Sequence, residues 1–336
     1  MKTFISMPDN GVTKTFVTKN EYKKLEALGE VRRNTKETSL TKEEFIQSIG
    51  DAEVVVTGWG HCRIDSEMLK DAKNLKIIMH TGGTVGDLID PSVYDNTNIK
   101  VISGNYYFAE SVAEGVLAYA LCALRKLDYF SANLNKGIWR TGESFTSEGL
   151  LDQKMGIVSL GAISKHLIKM AKPFRIDFRV YSTRPDPKLA EEYGFTYCDL
   201  ESIFSECKIV SVHTALNKNT ENMINKKHFK LLKDGAIFIN TSRGKVICDE
   251  DLVEELKTNR IHAVLDVFPI EPLPADSPYI GLPNVTLYPH IAGPTPDRRP
   301  ILTSFLIDDC AGYINNGNAL KHEITKEVAM MMTKHG

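Results

Sequence analysis

Lys154-Met155-Gly156-Ile157-Val158-Ser159-Leu160-Gly161-Ala162-Ile163-Ser164 is the stretch on which the fold turns. A strand-like apolar run ends near Ser159 and a helical pattern opens at Ala162. That is where a G-x-G-x-x-G loop would cradle a pyrophosphate on backbone N–H groups and a helix N-terminus. The pattern here is S-x-G-x-x-S. Gly161 keeps the middle glycine, which lets the backbone approach a phosphate. Ser159 replaces the glycine of the tight turn, where a positive φ costs a non-glycine residue roughly 1 kcal/mol. Ser164 replaces the packing glycine with another small side chain. Ser159, Gly161, Ala162 and Ile163 are candidate cofactor-binding residues, although the stretch alone also reads as an ordinary βα turn.

Outward from this loop, short apolar runs recur at 154–160, 178–182, 209–213, 236–240, 263–267 and 285–288, with helical patterns between most of them. This alternation predicts a doubly wound parallel sheet of Rossmann type. Upstream, 53–57 and 75–79 read as strands, and Met1–Pro8 reads as a first strand rather than a secretory signal. The segment 41–49 reads as a helix with Thr41 and Glu44 as a capping box. A long Ala- and Leu-rich helix over 109–127 could bridge two domains, and a final helix over 300–315 is placed back on the first. The expected fold class is α/β: two Rossmann-like or flavodoxin-like doubly wound domains with an interdomain cleft. Residues 1–104, completed by 298–336, form a substrate-binding domain, and 105–297 form the dinucleotide-binding domain.

The end of the second Rossmann strand chooses the cofactor. An acid there would hold the 2′-hydroxyl of NAD. The residues are Tyr181-Ser182-Thr183-Arg184, so Arg184 with the hydroxyls of Ser182 and Thr183 is suited to a 2′-phosphate. NADP(H) is favoured over NAD(H); the alternative is that Asp186, beyond Pro185, fills the acidic role.

The chain's 336 residues suit two domains better than one core. It is 42% hydrophobic and 25% charged with a net charge of -2, which argues against nucleic acid as a partner. No apolar run is expected to approach the roughly 20 residues that span a bilayer, so no membrane partner is expected. Six cysteines without a C-x-x-C pair or metal spacing read as reduced, mostly buried thiols of a cytoplasmic protein, with no metal site.

Three residues of the second half suggest chemistry. Arg243 lies in Asn240-Thr241-Ser242-Arg243-Gly244, Glu271 in Asp266-Val267-Phe268-Pro269-Ile270-Glu271-Pro272, and His290 in Tyr288-Pro289-His290-Ile291-Ala292-Gly293. Arg can grip the carboxylate of a 2-keto acid with two charge-assisted bonds. His can move the proton on the carbonyl oxygen, and Glu can orient the imidazole and stabilise its protonated form. Each also has a plainer reading: an ion pair, a turn cap and a core imidazole. Their joint presence points to catalysis. His166, His228, His262, His322 and His335 carry no such context and read as surface or packing residues. Trp59, in Thr57-Gly58-Trp59-Gly60-His61, is either a wall of a substrate pocket or a packing aromatic.

With these segments assembled, the chain resembles the D-isomer-specific 2-hydroxyacid dehydrogenases. The resemblance rests on Ser111-Val112-Ala113-Glu114, Gly137-Ile138-Trp139, Val210-Ser211-Val212-His213 with Thr220, Ile239–Val246, Leu265–Phe268 and Pro289–Gly293. It implies that Arg243 binds the substrate carboxylate, that His290 is the general acid or base, and that Glu271 is its partner. It implies that Thr241, Ser242 and Asp266 lie at the nicotinamide end and that His213 and Thr220 flank the adenosine. It also implies that Gly82, Gly83 and Thr84 form a substrate loop, and that the protein is a homodimer built across its cofactor domains. This chain departs from the family at Ser159 and Ser164, at Ala215 where a proline is frequent, and in the missing strand-end acid.

The expected reaction is hydride transfer between NAD(P)(H) and a small 2-keto or 2-hydroxy acid. In phosphoglycerate enzymes of the family a basic residue at the first-domain strand end would hold the phosphate. Thr57 takes that place, and the chain ends at Gly336 without room for a regulatory domain. A glyoxylate- or hydroxypyruvate-like substrate is therefore favoured over 3-phosphoglycerate, although Arg63 could reach a phosphate. The weakened glycine loop also suits a non-catalytic, dinucleotide-responsive corepressor-like protein, and a relative acting on formate or phosphite is a third reading.

Overall fold

The computed structural model describes residues 1–139 and 146–332. The chain divides into two compact units, Met1–Phe108 with Pro294–Gly336, and Ala109–Gly293. The crossings fall at 108/109 and 293/294 rather than at the expected 104/105 and 297/298. The first turn of the Asn105–Arg125 helix belongs to the first unit, where Phe108 packs edge-on against Trp59.

The first unit holds a parallel sheet in the order β2-β1-β3-β4-β5. Its strands are β1 (Thr3–Ile5), β2 (Val31–Arg33), β3 (Val54–Thr57), β4 (Ile77–His80) and β5 (Lys100–Ser103). This is the flavodoxin-like order of a doubly wound sheet. Val54, Val55 and Val56 are all fully buried, so the run is apolar without alternation, as a strand covered on both faces requires. The Lys42–Ile49 helix starts at Thr41, and the capping box with Glu44 forms in both directions. The Arg299–Asn316 helix buries Leu302, Leu306, Ile307 and Cys310 in the same core as Phe16 and Val56.

The second unit holds a seven-stranded parallel sheet, β12-β11-β10-β9-β6-β7-β8. Its strands are β6 (Lys154–Val158), β7 (Asp177–Tyr181), β8 (Thr196–Tyr197), β9 (Ile209–Val212), β10 (Ile237–Asn240), β11 (His262–Leu265) and β12 (Val285–Leu287). The order reverses between β6 and β9, and ligands of such sheets bind outside the strand carboxyl ends at that reversal. Gly156 is needed inside β6 because a side chain there would meet Ile203 at 2.5 Å.

Two expectations are corrected. The Asn105–Arg125 helix is long and apolar enough, by length and composition, to cross a membrane. Its Ala113, Val116, Ala120 and Leu124 are buried in the core of the second unit with Ile157 and Leu167, so packing within the protein accounts for its apolar face. Of the six free cysteines only Cys207 and Cys310 are fully buried; the other four are half-buried.

Candidate active site

Glu271 and His290 meet directly. His290 Nδ1 lies 2.7 Å from Glu271 Oε2, while the other carboxylate oxygen accepts the Phe268 N–H at 2.9 Å. The backbone bond fixes the carboxylate, and the carboxylate fixes the imidazole, leaving Nε2 for the proton chemistry. His290 sits at φ 54, a left-handed conformation that strains a side-chain-bearing residue by roughly 1–2 kcal/mol. Such strain is characteristic of functional turns held by their surroundings.

Arg243 follows β10 in a turn built by Asn240. The Asn240 side-chain oxygen accepts the Ser242 N–H at 3.0 Å and the Ser242 hydroxyl at 2.8 Å, and its amide donates to the Arg243 carbonyl at 3.1 Å. The Ser242 hydroxyl thus serves the turn itself. Arg243 Nη1 donates to the Ser242 carbonyl at 2.6 Å. The turn presses on the segment carrying Glu271: a Cβ on Gly244 would lie 2.0 Å from the Phe268 carbonyl carbon and 2.2 Å from Pro269 N. Only glycine allows that approach.

Asp266, one residue past β11, is buried and fully engaged. It accepts the N–H groups of Ile291 at 2.8 Å and Ala292 at 3.0 Å, and the Tyr119 hydroxyl at 3.1 Å. Burial raises its pKa, and these donors pull it back. Asp266 therefore ties down the two residues after His290. Neither this anchor nor the part played by Tyr119 was visible in the sequence; a tyrosine within the aliphatic second half of the Asn105–Arg125 helix was the available signal.

At the β6–β9 reversal, Ser159 adopts φ 83, the positive angle that the loop motif demands. Gly161 caps the Ala162–Ala171 helix without a side-chain hydrogen bond, and a Cβ there would meet nothing within 4 Å. Open space over an uncapped helix N-terminus suits a phosphate. His213 Nε2 pairs with the Ser211 hydroxyl at 3.0 Å, but its buried Nδ1 has no partner among the described residues, and neither does the buried Thr241 Oγ1. Burial pushes His213 down to about 3, so it is neutral there. Orphaned polar atoms at the ends of β9 and β10 are what a polar ligand would satisfy. The Thr220 hydroxyl instead closes its own loop by donating to the Ala215 carbonyl at 2.7 Å.

No acid stands at the end of β7. Thr183 and Arg184 are exposed, and the Ser182 hydroxyl accepts the Arg184 N–H at 3.1 Å. Asp186 caps the Pro187–Tyr193 helix by accepting the Lys188 N–H at 3.0 Å, which accounts for it structurally. The loop, the helix end and the orphaned groups fit a dinucleotide.

In the first unit, Gly82 follows β4 directly above His80. The buried imidazole shares a hydrogen bond with Thr57 at 3.0 Å, and a Cβ on Gly82 would lie 2.3 Å from its Nε2. Gly83 abuts Phe108, and the Thr84 hydroxyl accepts the Gly86 N–H at 3.2 Å. Trp59 is half exposed, edge-on to Phe16 and Phe108, with the Arg299 guanidinium 5.3 Å from its ring. Arg63 is held by Asp90 at 2.9 Å. Of the remaining histidines, His228 is buried, His322 pairs with Asp309 at 3.0 Å, and His335 lies outside the described residues.

Residues 117–292 match the NAD-binding domain of the D-isomer specific 2-hydroxyacid dehydrogenases. The glyoxylate reductase of Thermococcus litoralis is 35% identical over 245 residues, 70% of this chain and 73% of that protein. The chain spans about half the length of the D-3-phosphoglycerate dehydrogenases it matches. That of Methanocaldococcus jannaschii is 32% identical over 277 residues, 82% of this chain and 52% of that protein. Two solved structures share 25% identity and a TM-score of 0.78 with it. The D-lactate dehydrogenase of Lactobacillus jensenii with NAD+ is matched over 97% of this chain and 100% of its own. An acyclic imino acid reductase with NADPH and D-Arg is matched over 96% and 100%.

Proposed function

Since the chain belongs to the D-isomer-specific 2-hydroxyacid dehydrogenase family, we propose that it transfers hydride reversibly between NADP(H) and a small 2-keto or D-2-hydroxy acid. The observation that carries this reading is the 2.7 Å pair of His290 and Glu271, with the Arg243 turn packed through Gly244 onto the segment that bears Glu271. Arg243 holds the substrate carboxylate by charge-assisted bonds. His290 gives its Nε2 proton to the carbonyl oxygen during reduction and takes it back during oxidation. Glu271 keeps the imidazole aimed and stabilises its charged form. A bound nicotinamide dinucleotide supplies or accepts the hydride.

NADP(H) is favoured because β7 ends without an acid, Asp186 is occupied as a helix cap, and Arg184 is exposed beside Ser182 and Thr183. A glyoxylate- or hydroxypyruvate-like substrate is favoured because the strand end carries Thr57, buried against His80, in place of a basic residue, and the nearby Arg63 already has a carboxylate partner in Asp90. The active form is a homodimer, supported by the exposed apolar residues Leu127, Tyr129, Leu134, Ile138 and Trp139 of the second unit.

Parallel fluorescence titrations with NADPH and NADH, followed by a keto-acid screen, test the proposal. Tighter binding of NADPH and turnover of glyoxylate or hydroxypyruvate are expected. Tighter NADH binding overturns the 2′-phosphate assignment alone. Dinucleotide binding without turnover of any 2-keto acid overturns the enzymatic reading and favours a dinucleotide-responsive binding protein.

A further inference from the structure

Tyr119 is connected to the chain on both sides of His290. Its hydroxyl donates to Asp266 Oδ1 at 3.1 Å, and the same oxygen accepts the Ile291 N–H at 2.8 Å. Its ring stacks on Tyr288, with centroids 4.4 Å apart and planes within 10°. One residue after His290 and two before it are thus tied to a single side chain of the Asn105–Arg125 helix. One turn earlier on that helix, Gly115 brings the backbone against Ala292, where a Cβ would lie 3.2 Å from the Ala292 Cα.

His290 itself is in the left-handed region, so its surroundings must hold it there. A phenylalanine would fill the stack as well as Tyr119 does. The hydroxyl adds the third donor to a carboxylate that is 1% exposed, and without it Oδ1 would keep only one partner in a dry site. Burial and the adjacent Asp266 push the Tyr119 phenol well above its ordinary pKa, so it remains a donor.

We propose that Tyr119 is a positioning residue for His290: through Asp266 and Tyr288 it holds the turn that aims the imidazole at Glu271. The catalytic side of this inference rests on the role given to His290 above; the mechanical side does not.

The test is Tyr119→Phe in the full chain, read by amide hydrogen exchange at Ile291 and Ala292 and by steady-state kinetics. Exchange at those two amides should quicken about tenfold, the scale of one buried hydrogen bond, while exchange in β9 and β10 stays as in the wild type. The kcat should fall about tenfold, with KM and NADPH affinity within twofold, because the site keeps its shape but loses aim. Tyr119→Leu, which also removes the stack, should lower kcat further; if it does not fold, the Phe variant decides alone. Exchange that quickens without loss of kcat reduces Tyr119 to a structural tie and overturns the proposal, as does a loss of kcat without faster exchange. If the wild type reduces no 2-keto acid, the proposed function fails, and exchange alone decides whether Tyr119 holds the turn.

Discussion

The Ser164 hydroxyl donates to the Ser159 carbonyl at 2.7 Å, so the first and third positions of the loop motif are bonded to each other. Ser164 is fully buried, and Ser159 holds φ 83. The second serine thus braces a turn that the first strains. Ser164→Ala removes the donor and should lower stability by about 1 kcal/mol, with weaker dinucleotide binding as the turn loosens. Ser159→Gly relieves the left-handed strain of roughly 1 kcal/mol and should raise the melting temperature or leave it unchanged, since glycine also gains entropy when unfolded. Thermal melts with and without NADPH check both. Ser164→Ala with unaltered stability and affinity would show that the bond braces nothing.

Glu271→Gln keeps the size of the side chain but removes its charge. The amide can satisfy the Phe268 N–H or accept from His290, yet it cannot stabilise an imidazolium as a carboxylate does. The kcat should fall about a hundredfold, the scale of an impaired general acid, with dinucleotide affinity unchanged. His290→Asn should fall further. Stopped-flow measurement of NADPH oxidation distinguishes chemistry from product release. An unimpaired Gln variant would remove Glu271 from the mechanism.

What could be read in the sequence was local, and what could not was long-range. The Thr41–Glu44 capping box formed as expected because its bonds span three residues. The central strands β3, β4, β9 and β10 were legible because both faces are buried and the runs are largely apolar. By contrast, β2 (Val31–Arg33) and β8 (Thr196–Tyr197) are short, partly exposed edge strands without such a run, and β5 (Lys100–Ser103), opened by a lysine, was not legible either. The need for a positive φ at Ser159 followed from the loop motif. The anchoring of Ile291 and Ala292 by Asp266 spans 25 and 26 residues, and the bond from Tyr119 spans 147, so no window of sequence contains them. In the Asn105–Arg125 helix, Glu110 and Glu114 break the continuous apolar run while the mean hydropathy stays high.

Gly244 and Gly82 are required for different reasons, and Ala substitutions should separate them. A Cβ at 244 meets backbone atoms of Phe268 and Pro269, which cannot move aside without shifting Glu271. Gly244→Ala should lose most activity and about 1–3 kcal/mol of stability, as overpacking does. A Cβ at 82 meets the buried imidazole of His80. Gly82→Ala should destabilise the first unit by a similar amount while leaving dinucleotide binding intact. NADPH titration of both variants decides the matter: loss of dinucleotide binding in Gly82→Ala would contradict a clash confined to His80.

Acid should destabilise both units through histidines that cannot charge when folded. Burial pushes His80 in the first unit and His213 in the second down to about 3 from the ordinary 6.5 of a histidine. Between those two values the unfolded chain binds protons that the native chain refuses. Stability therefore rises with pH across this window and is lost as pH falls from about 6.5 towards 3. At pH 5 each histidine should withdraw about 2 kcal/mol relative to neutral pH. His61, His228 and His262, also lowered by burial, add to the same slope. Urea melts at pH 7 and pH 5 measure it. His80→Asn and His213→Asn should each flatten the pH dependence, and each only in the transition of its own unit if the two unfold separately. A wild-type midpoint that does not move between pH 7 and pH 5 would mean that both imidazoles accept protons in the folded state.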